Sequence, residues 1–262
     1  MGLFDKKFCD VCGKKIGLLG NRKLEDGNLC KDCASRLSPW FSERRHSTLE
    51  EIKEQLDYRE KNKSSVSAFH VTRSLGKHTK LLLDEDAKKF MVTSAGNLEN
   101  ANPDVLSYSQ VTGCDLDIQE SRNELKHNDK DGKSVSYVPP RYEYSYNFHV
   151  HIYVNHPYFD EISYSLSNGY VKTGERPMSG TPGGWQIHHA GINTNLRLND
   201  YYEYLNMGNQ IKDAVDHMRY DARAEIEAAN APKVAVTCPY CGASTVPDEK
   251  GCCEYCGSAL KG

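Results

Sequence analysis

The sequence lacks any long apolar run, and this absence limits what the protein can be. Only 38% of its 262 residues are hydrophobic. No stretch approaches the roughly 20 apolar residues that a membrane-spanning helix requires. The first residues, MGLFDK, also lack the apolar segment of a secretory signal. We therefore expect a cytoplasmic protein with no membrane span.

The sequence also lacks an excess of positive charge. It has 33 Lys and Arg residues against 36 Asp and Glu residues, which gives a formal net charge of -3. Residues 1–65 carry about +3, residues 66–230 about -6, and residues 231–262 are balanced. The middle of the chain is therefore a poor match for nucleic-acid phosphates or an anionic membrane.

Cysteine, by contrast, is abundant and ordered. The sequence contains 10 Cys residues, most of them in C-x2-C pairs. Without an export signal, such pairs indicate reduced metal ligands rather than disulfides, and four thiolates favour zinc. We predict two structural zinc ions per chain, one held by Cys9, Cys12, Cys30 and Cys33 and the other by Cys238, Cys241, Cys253 and Cys256.

One ligand position in the second set has two candidates. Cys252 and Cys253 are adjacent in the sequence. Either of them can supply the third sulfur, but only Cys253 keeps a two-residue gap to Cys256. Four protein ligands leave no open coordination position, so we expect both zinc ions to be structural rather than catalytic.

The patterns divide the chain into four segments. Residues 1–38 are predicted to form a treble-clef-like zinc finger, because glycine-marked turns precede a second cysteine pair at a helix start. Residues 39–65 are predicted to be a linker helix that begins at a capping box, Ser47-Thr48-Leu49-Glu50. This helix either lies solvated on the next domain or uses Arg44, Arg45 and His46 as a basic interaction surface. Residues 231–262 are predicted to form a zinc ribbon.

Residues 66–230 are predicted to form a β domain that ends in a long helix. Alternating apolar residues over 144–154 indicate a half-buried strand with Tyr144, Tyr146, Phe148, Val150, Ile152 and Val154 facing the core. Further predictions are strands over 66–75, 105–118 (broken near Gly113) and 162–166, a hairpin over 80–92, a polar loop over 123–133, a tight hairpin at Asn168-Gly169, a long loop over 173–195 and a helix from Asn199-Asp200 to about Ala229.

This order of elements defines the predicted fold. A meander of strands closed by one long carboxy-terminal helix is typical of a pleckstrin-homology (PH)-like domain. We therefore predict an α+β protein with a β-rich, PH-like barrel or sandwich and a long C-terminal helix, flanked by two small zinc-binding modules. Fold alone assigns no function.

The amino-terminal run CDVCGKKIGLLGNRKLEDGNLCKDC resembles a bacterial family of treble-clef-like zinc-finger domains of unknown function. The later stretches SPWFSERRHST, LLLDEDAKKFMV and NHPYFDEI are similar to longer proteins that carry this finger. The resemblance implies that Cys9, Cys12, Cys30 and Cys33 are ligands, and it implies no activity.

Three functions are compatible with these features. The first is a non-catalytic, cytoplasmic adaptor that binds another protein, because the metal sites are closed and no catalytic constellation is present. The second is a nucleic-acid-binding protein that uses its fingers, since the first finger contains Lys14, Lys15, Arg22, Lys23, Lys31 and Arg36. The third is a metal-dependent enzyme that uses the strand face of His149, His151 and His156, together with His188 and His189 in the long loop.

Overall fold

The computed structural model describes residues 7–174, 194–230, 235–248 and 250–260, with backbone alone for 194–197. The chain forms two compact units, Met1–Tyr220 and Asp221–Gly262. Helices and strands are mixed, as predicted for an α+β protein, and a long helix follows the strands. The predicted loop over 173–195, including His188 and His189, lies almost entirely outside the described residues.

Short strands and one short helix build the amino-terminal finger. β1 (Lys7–Phe8) pairs antiparallel with β2 (Lys15–Ile16), β3 (Arg22–Lys23) pairs with β4 (Asn28–Leu29), and α1 (Lys31–Ala34) follows. Leu24 and Leu29 are fully buried between these elements. The order of a cysteine turn, a hairpin and a cysteine pair at a helix start is the one predicted for a treble-clef-like finger.

Helix α2 (Leu49–Ser67) follows a 3-10 turn, Glu43–His46. Its capping box is Thr48 with Glu51, one residue later than predicted. The strand predicted over 66–75 is wrong at its start, because the helix continues to Ser67 and the first strand of the sheet begins only at Arg73. The buried face of the helix contains polar as well as apolar side chains; its members are Ile52, Gln55, Leu56, Arg59, Asn62 and Val66.

A four-stranded antiparallel meander comes next. Its members in order are β5 (Arg73–Leu75), β6 (Lys80–Asp84), β7 (Lys89–Thr93) and β8 (Leu106–Ser107), with α3 (Leu98–Ala101) between the last two. The predicted hairpin over 80–92 is confirmed by the pairing of β6 with β7. Asp84 closes its turn by accepting a hydrogen bond from the N–H of Ala87 at 3.0 Å.

A second sheet follows the 3-10 turn Tyr108–Gln110. It contains β9 (Val111–Asn128), β10 (Ser134–His156), β11 (Phe159–Ser165) and β12 (Val171–Thr173). The predicted alternation on β10 is confirmed from Tyr146 to Val154, where every even-numbered residue is buried. It is wrong at its start, because Tyr144 is only half-buried and Ser145, on the predicted outward face, is buried. At the predicted break near Gly113, β9 continues as one strand but its register against β10 shifts, because Tyr153 pairs with Gly113 and Val154 with Val111.

Two connections differ from prediction. The polar loop predicted over 123–133 is wrong for residues 123–128, which belong to β9 and pair with β10; only residues 129–133 form a turn. Neither face of this ribbon is buried, so the regular apolar alternation that marks a core strand is absent. Asn168-Gly169 does not form a hairpin either, since β11 and β12 both pair antiparallel with β10 and therefore run in the same direction.

Helix α4 (Thr194–Asn230) begins earlier than the predicted cap at Asn199-Asp200. Its aromatic residues pack on the second sheet, where the ring centroid of Tyr201 lies 5.3 Å from that of Phe148. A Cβ atom on Gly208 would lie 2.6 Å from Leu116 of β9, so glycine allows this close approach. The strands that the structure describes form no closed barrel.

The second unit contains the end of α4 and a small ribbon. Its strands are β13 (Val236–Thr237) and β14 (Ser244–Thr245), which pair antiparallel. Across the described part of the chain, no helix combines the length and apolar composition needed to cross a bilayer.

Candidate metal centres

The structure brings the eight predicted cysteines into two clusters of four. Within each cluster the sulfur atoms all lie within 4.8 Å of one another. The Sγ atoms of Cys12 and Cys30 are 3.7 Å apart, and those of Cys238 and Cys256 are 3.6 Å apart. Sulfur atoms around a tetrahedral zinc ion, with bonds of about 2.3 Å, would be separated by about 3.8 Å. Each cluster therefore fits one four-coordinate metal ion.

Three of the four cysteine pairs have the same backbone turn. In the first, the N–H of Gly13 donates to the carbonyl of Cys9 at 2.8 Å, and the N–H of Cys9 donates to Lys14 at 2.9 Å. The ribbon repeats these bonds at Cys238 and at Cys253. Each turn ends at a glycine with positive φ, at +71° for Gly13, +72° for Gly242 and +69° for Gly257. These glycines supply a left-handed backbone that other residues adopt only under strain.

The remaining pair uses a helix start instead. Cys30 is the N-cap of α1, and its Sγ accepts a hydrogen bond from the N–H of Cys33 at 3.4 Å. N–H groups at a helix start have no partner within the helix and favour a negative charge. The first cluster therefore combines one glycine-ended cysteine turn with one helix start, whereas the ribbon combines two glycine-ended turns.

Backbone donors and burial give the sulfurs different acidities. Burial raises the pKa of Cys9, but hydrogen bonds from nearby N–H groups, including that of Cys30, lower it by more. The net result is a pKa of about 6. The hydroxyl and N–H groups of Ser258 lower the pKa of Cys256 to about 6. Burial, followed by the neighbouring sulfurs, raises the pKa of Cys33 well above its usual range. Four thiolates can therefore coexist in such a cluster only beside a compensating cation.

The geometry separates Cys252 from Cys253. Cys253 is 1% exposed, and its Sγ lies 3.7 Å from that of Cys241. The Sγ of Cys252 instead lies 3.8 Å from the carbonyl oxygen of Lys250, outside the cluster. The residue that preserves the two-residue gap is thus the one that lies with the other sulfurs.

A buried polar network, which sequence reasoning missed, joins the first finger to the segment before β8. The Nη1 atom of Arg59 donates to Oδ1 of Asp104 at 2.6 Å, and these side chains are 7% and 0% exposed. Ser38 donates to the other carboxylate oxygen at 2.7 Å, and Arg59 Nε donates to the carbonyl of Arg36 at 3.2 Å. In the sequence, one feature points to this network, which is the helical spacing of Arg59 from Ile52 and Leu56. It places an arginine on the buried face of α2.

The predicted histidine face does not form a comparable cluster. His149 lies 2.7 Å from the amide nitrogen of Asn147, and His151 contacts Glu161 and Ser163. The ring of His156 stacks on Phe159 with centroids 4.1 Å apart, and burial lowers its pKa. Among the described residues, the groups with metal-ligand geometry are the two cysteine clusters.

Comparison with known proteins gives one family match. Residues 7–55 are similar to a family described as a domain of unknown function (DUF4428). The match contains the whole first cysteine cluster and the start of α2, and it supports a metal-binding module of unknown function. Neither the curated proteins nor the solved structures yielded a match to the chain.

Proposed function

We propose that both clusters hold structural zinc. Four cysteine sulfurs at tetrahedral spacing suit zinc better than magnesium or calcium, which prefer oxygen ligands. Four sulfurs also complete the coordination shell, so neither water nor substrate has a position on the metal. Elemental analysis of the purified chain should give two zinc ions per molecule. A different metal, or fewer than two ions, would contradict this assignment.

We infer further that the protein is a non-catalytic, cytoplasmic adaptor that binds another protein. The observation that carries this proposal is the exposed ribbon formed by β9 and β10. Every residue from 119 to 128 is exposed, and Val138, in the stretch of β10 that bulges out between Ser136 and Arg141, is 98% exposed. Such a paired extension contributes little to the core and is well placed to be covered by a partner.

The ribbon carries the side chains that protein interfaces favour. The guanidinium of Arg122 lies 4.5 Å from the ring centroid of Tyr142, and that of Arg141 lies 4.7 Å from that of Tyr137. Tyrosine and arginine are enriched among the residues that dominate binding energy. Stacking holds each pair in place before binding, which lowers the entropy lost on association.

Affinity capture with the zinc-loaded full chain tests the adaptor proposal. The ribbon variant carries Tyr137→Ser and Val138→Ser, and the control carries Tyr170→Ser, at a residue that is 65% exposed but lies outside the ribbon. We expect a partner that binds the wild type and the control but not the ribbon variant. Equal capture by all three proteins, or turnover of a substrate by the wild type, would contradict the proposal.

The two alternatives have less support. An enzyme on the histidine face would need side chains free to bind a metal or substrate, whereas His149 and His151 already contact neighbouring polar groups. Nucleic-acid binding would rely on the cations of the first finger, but exposed leucines lie beside them. A PH-like assignment of the middle domain is favoured by the order of two antiparallel sheets followed by a long helix, and we retain it as a proposal.

A further inference from the structure

Two leucines at the tip of the first finger are fully exposed. Leu18 is 89% exposed and Leu19 is 84% exposed, whereas Leu24 and Leu29 of the same finger are 0% exposed. The finger therefore has an apolar interior from which this pair is excluded. We refer to residues 17–20, with sequence GLLG, as the leucine tip.

The leucine tip is a defined turn with buried support. The N–H of Gly20 donates to the carbonyl of Gly17 at 2.9 Å. Ile16, just before the turn, is 7% exposed and anchors β2 in the core of the finger. The fold thus presents the two leucines at one place on the surface.

Cations flank the leucine tip along the chain. The guanidinium of Arg22 donates to the carbonyl of Leu19 at 3.4 Å, which places a positive charge at the base of the tip. The run from Gly13 to Leu24 contains Lys14, Lys15, Arg22 and Lys23 and no Asp or Glu, and of these cations Lys14 pairs with Asp32 at 3.7 Å. The tip therefore lies in a local excess of positive charge that the overall charge of -3 does not reveal.

The 3-10 turn before α2 adds two more cations. Arg44 donates to the carbonyl of Lys23. Burial, followed by the charges of Arg22 and Arg45, lowers the pKa of Arg44, so both of these cations lie near its guanidinium. Arg22, Lys23, Arg44 and Arg45 form no ion pair with any carboxylate in the described residues. These four cations are therefore available to bind an anion outside the protein.

We propose that the amino-terminal finger docks on an anionic lipid surface, with Leu18 and Leu19 entering the bilayer interface and the flanking cations contacting lipid phosphates. An apolar tip flanked by cations matches the apolar and anionic layers of such a surface. The -6 charge of residues 66–230 disfavours a membrane for the middle domain, but it does not apply to the finger. This proposal goes beyond protein binding and is independent of it.

The chemistry of the tip favours a membrane over the other macromolecules. Lysine is depleted at specific protein interfaces, and leucine is uncommon among their dominant residues. Nucleic acid would contact the cations but leave both leucines in water. A bilayer interface accepts both kinds of side chain, and several cations add to the small apolar contribution of two leucines.

Co-sedimentation with lipid vesicles tests the proposal. The zinc-loaded full chain is mixed with phosphatidylcholine vesicles, either alone or containing phosphatidylglycerol. The tip variant carries Leu18→Ser and Leu19→Ser, and the cation variant carries Lys15→Gln, Lys23→Gln and Arg45→Gln, all at exposed positions. The control, Leu125→Ser with Val138→Ser, removes two exposed apolar side chains from the ribbon. Zinc content measured on each variant confirms that the finger is folded.

The expected pattern is specific. The wild type and the control should bind only the anionic vesicles, and added salt should weaken this binding. The tip variant should bind at least about tenfold more weakly. The cation variant should lose roughly fivefold for each charge removed.

Three results would overturn the proposal. The first is no binding to anionic vesicles, and the second is binding by the tip variant equal to that of the wild type. The third is binding to duplex DNA that matches vesicle binding and depends on the cations but not on the leucines. That last result would identify the surface as a nucleic-acid site.

Discussion

At the scale of single residues, glycines fix the turns that bring the cysteine sulfurs of each cluster together. Gly13 has φ of +71°, and a Cβ atom at this position would have open space around it, so its constraint is backbone conformation rather than crowding. We expect Gly13→Ala to cost roughly 1 kcal/mol and to weaken zinc binding at the first centre about fivefold. Chelator competition measures this loss. Gly96→Ala is the matched control, since Gly96 has similar open space without positive φ, and an equal loss there would contradict the argument.

The adjacent cysteines of the ribbon give a second prediction. Cys253→Ser should reduce the zinc content from two ions to one, because it removes a buried sulfur from the cluster. Cys252→Ser should leave both ions in place, because its sulfur lies outside. Elemental analysis of the two purified variants distinguishes these outcomes. Loss of zinc from the Cys252 variant with retention in the Cys253 variant would reverse the assignment.

The sequence could predict these cysteines because their information is local. A C-x2-C turn brings two sulfurs together within four residues, and the required glycine follows directly. Arg59 and Asp104 could not be predicted in this way. They are 45 residues apart, and only the packing of α2 against the segment before β8 makes them partners. The partner of a buried charged side chain is set by tertiary packing, so a local sequence pattern does not reveal it.

At the scale of secondary-structure elements, Arg59 links α2 to both the finger and the first sheet. Arg59→Met leaves the buried Asp104 carboxylate without its cation, so we expect a loss of about 3–5 kcal/mol in the free energy of unfolding. Urea denaturation of the zinc-loaded protein measures it. Lys63→Met is the control from the same helix, because its ion pair with Glu60 is largely exposed and should contribute little. Similar losses from both variants would argue against a linking role.

The hairpin of β6 and β7 gives a prediction that depends on pH. Burial raises the pKa of Asp84, but hydrogen bonds from the N–H groups of His70 and Ala87 lower it by more. The net pKa therefore lies below its usual range. Its folded-state pKa is depressed, so its stabilisation is present above the unfolded-state pKa of about 3.9 and is lost as pH falls through the folded-state value. Asp84→Asn should cost about 1–2 kcal/mol at neutral pH.

Denaturation curves of wild type and Asp84→Asn at several pH values test this account. The difference in the free energy of unfolding between the wild type and Asp84→Asn should become smaller as pH falls below about 4. Asp86→Asn, at an exposed residue of the same turn, serves as the control and should show no such dependence. A difference that stays constant to the lowest pH would exclude the carboxylate as its source.

A strand could be predicted from the sequence where one of its faces is buried. It could not be predicted where both of its faces are exposed. The strand over 144–154 alternates because Phe148, Val150 and Ile152 fill the core. The extension of β9 to Asn128 is exposed on both faces, so its residues satisfy no burial pattern and look like a loop. Pairing with β10 through backbone hydrogen bonds forms this ribbon, and such bonds leave no trace in side-chain periodicity.

At the scale of the whole molecule, the two metal centres differ in how much apolar core supports them. The first cluster is part of a buried group that includes Ile16, Leu24 and Leu29 together with Ile52 and Leu56 of α2. In the described ribbon, residues 235–248 and 250–260, the buried side chains are Cys238, Cys253 and Thr245. With zinc in both clusters, as proposed, the ribbon depends on its metal for nearly all of its folding energy, whereas the finger shares an apolar core with α2.

This difference predicts the order in which zinc is lost. During titration with a chelator, the ribbon should release its ion at a lower chelator concentration, and hydrogen exchange should show residues 235–260 losing protection before residues 7–48. The single-site variants Cys33→Ser and Cys253→Ser assign each step, because each retains only one complete cluster. The strands of the two large sheets should stay protected throughout, since their burial does not involve sulfur. Release from the finger first would show that burial beside α2 does not protect a metal centre in this protein.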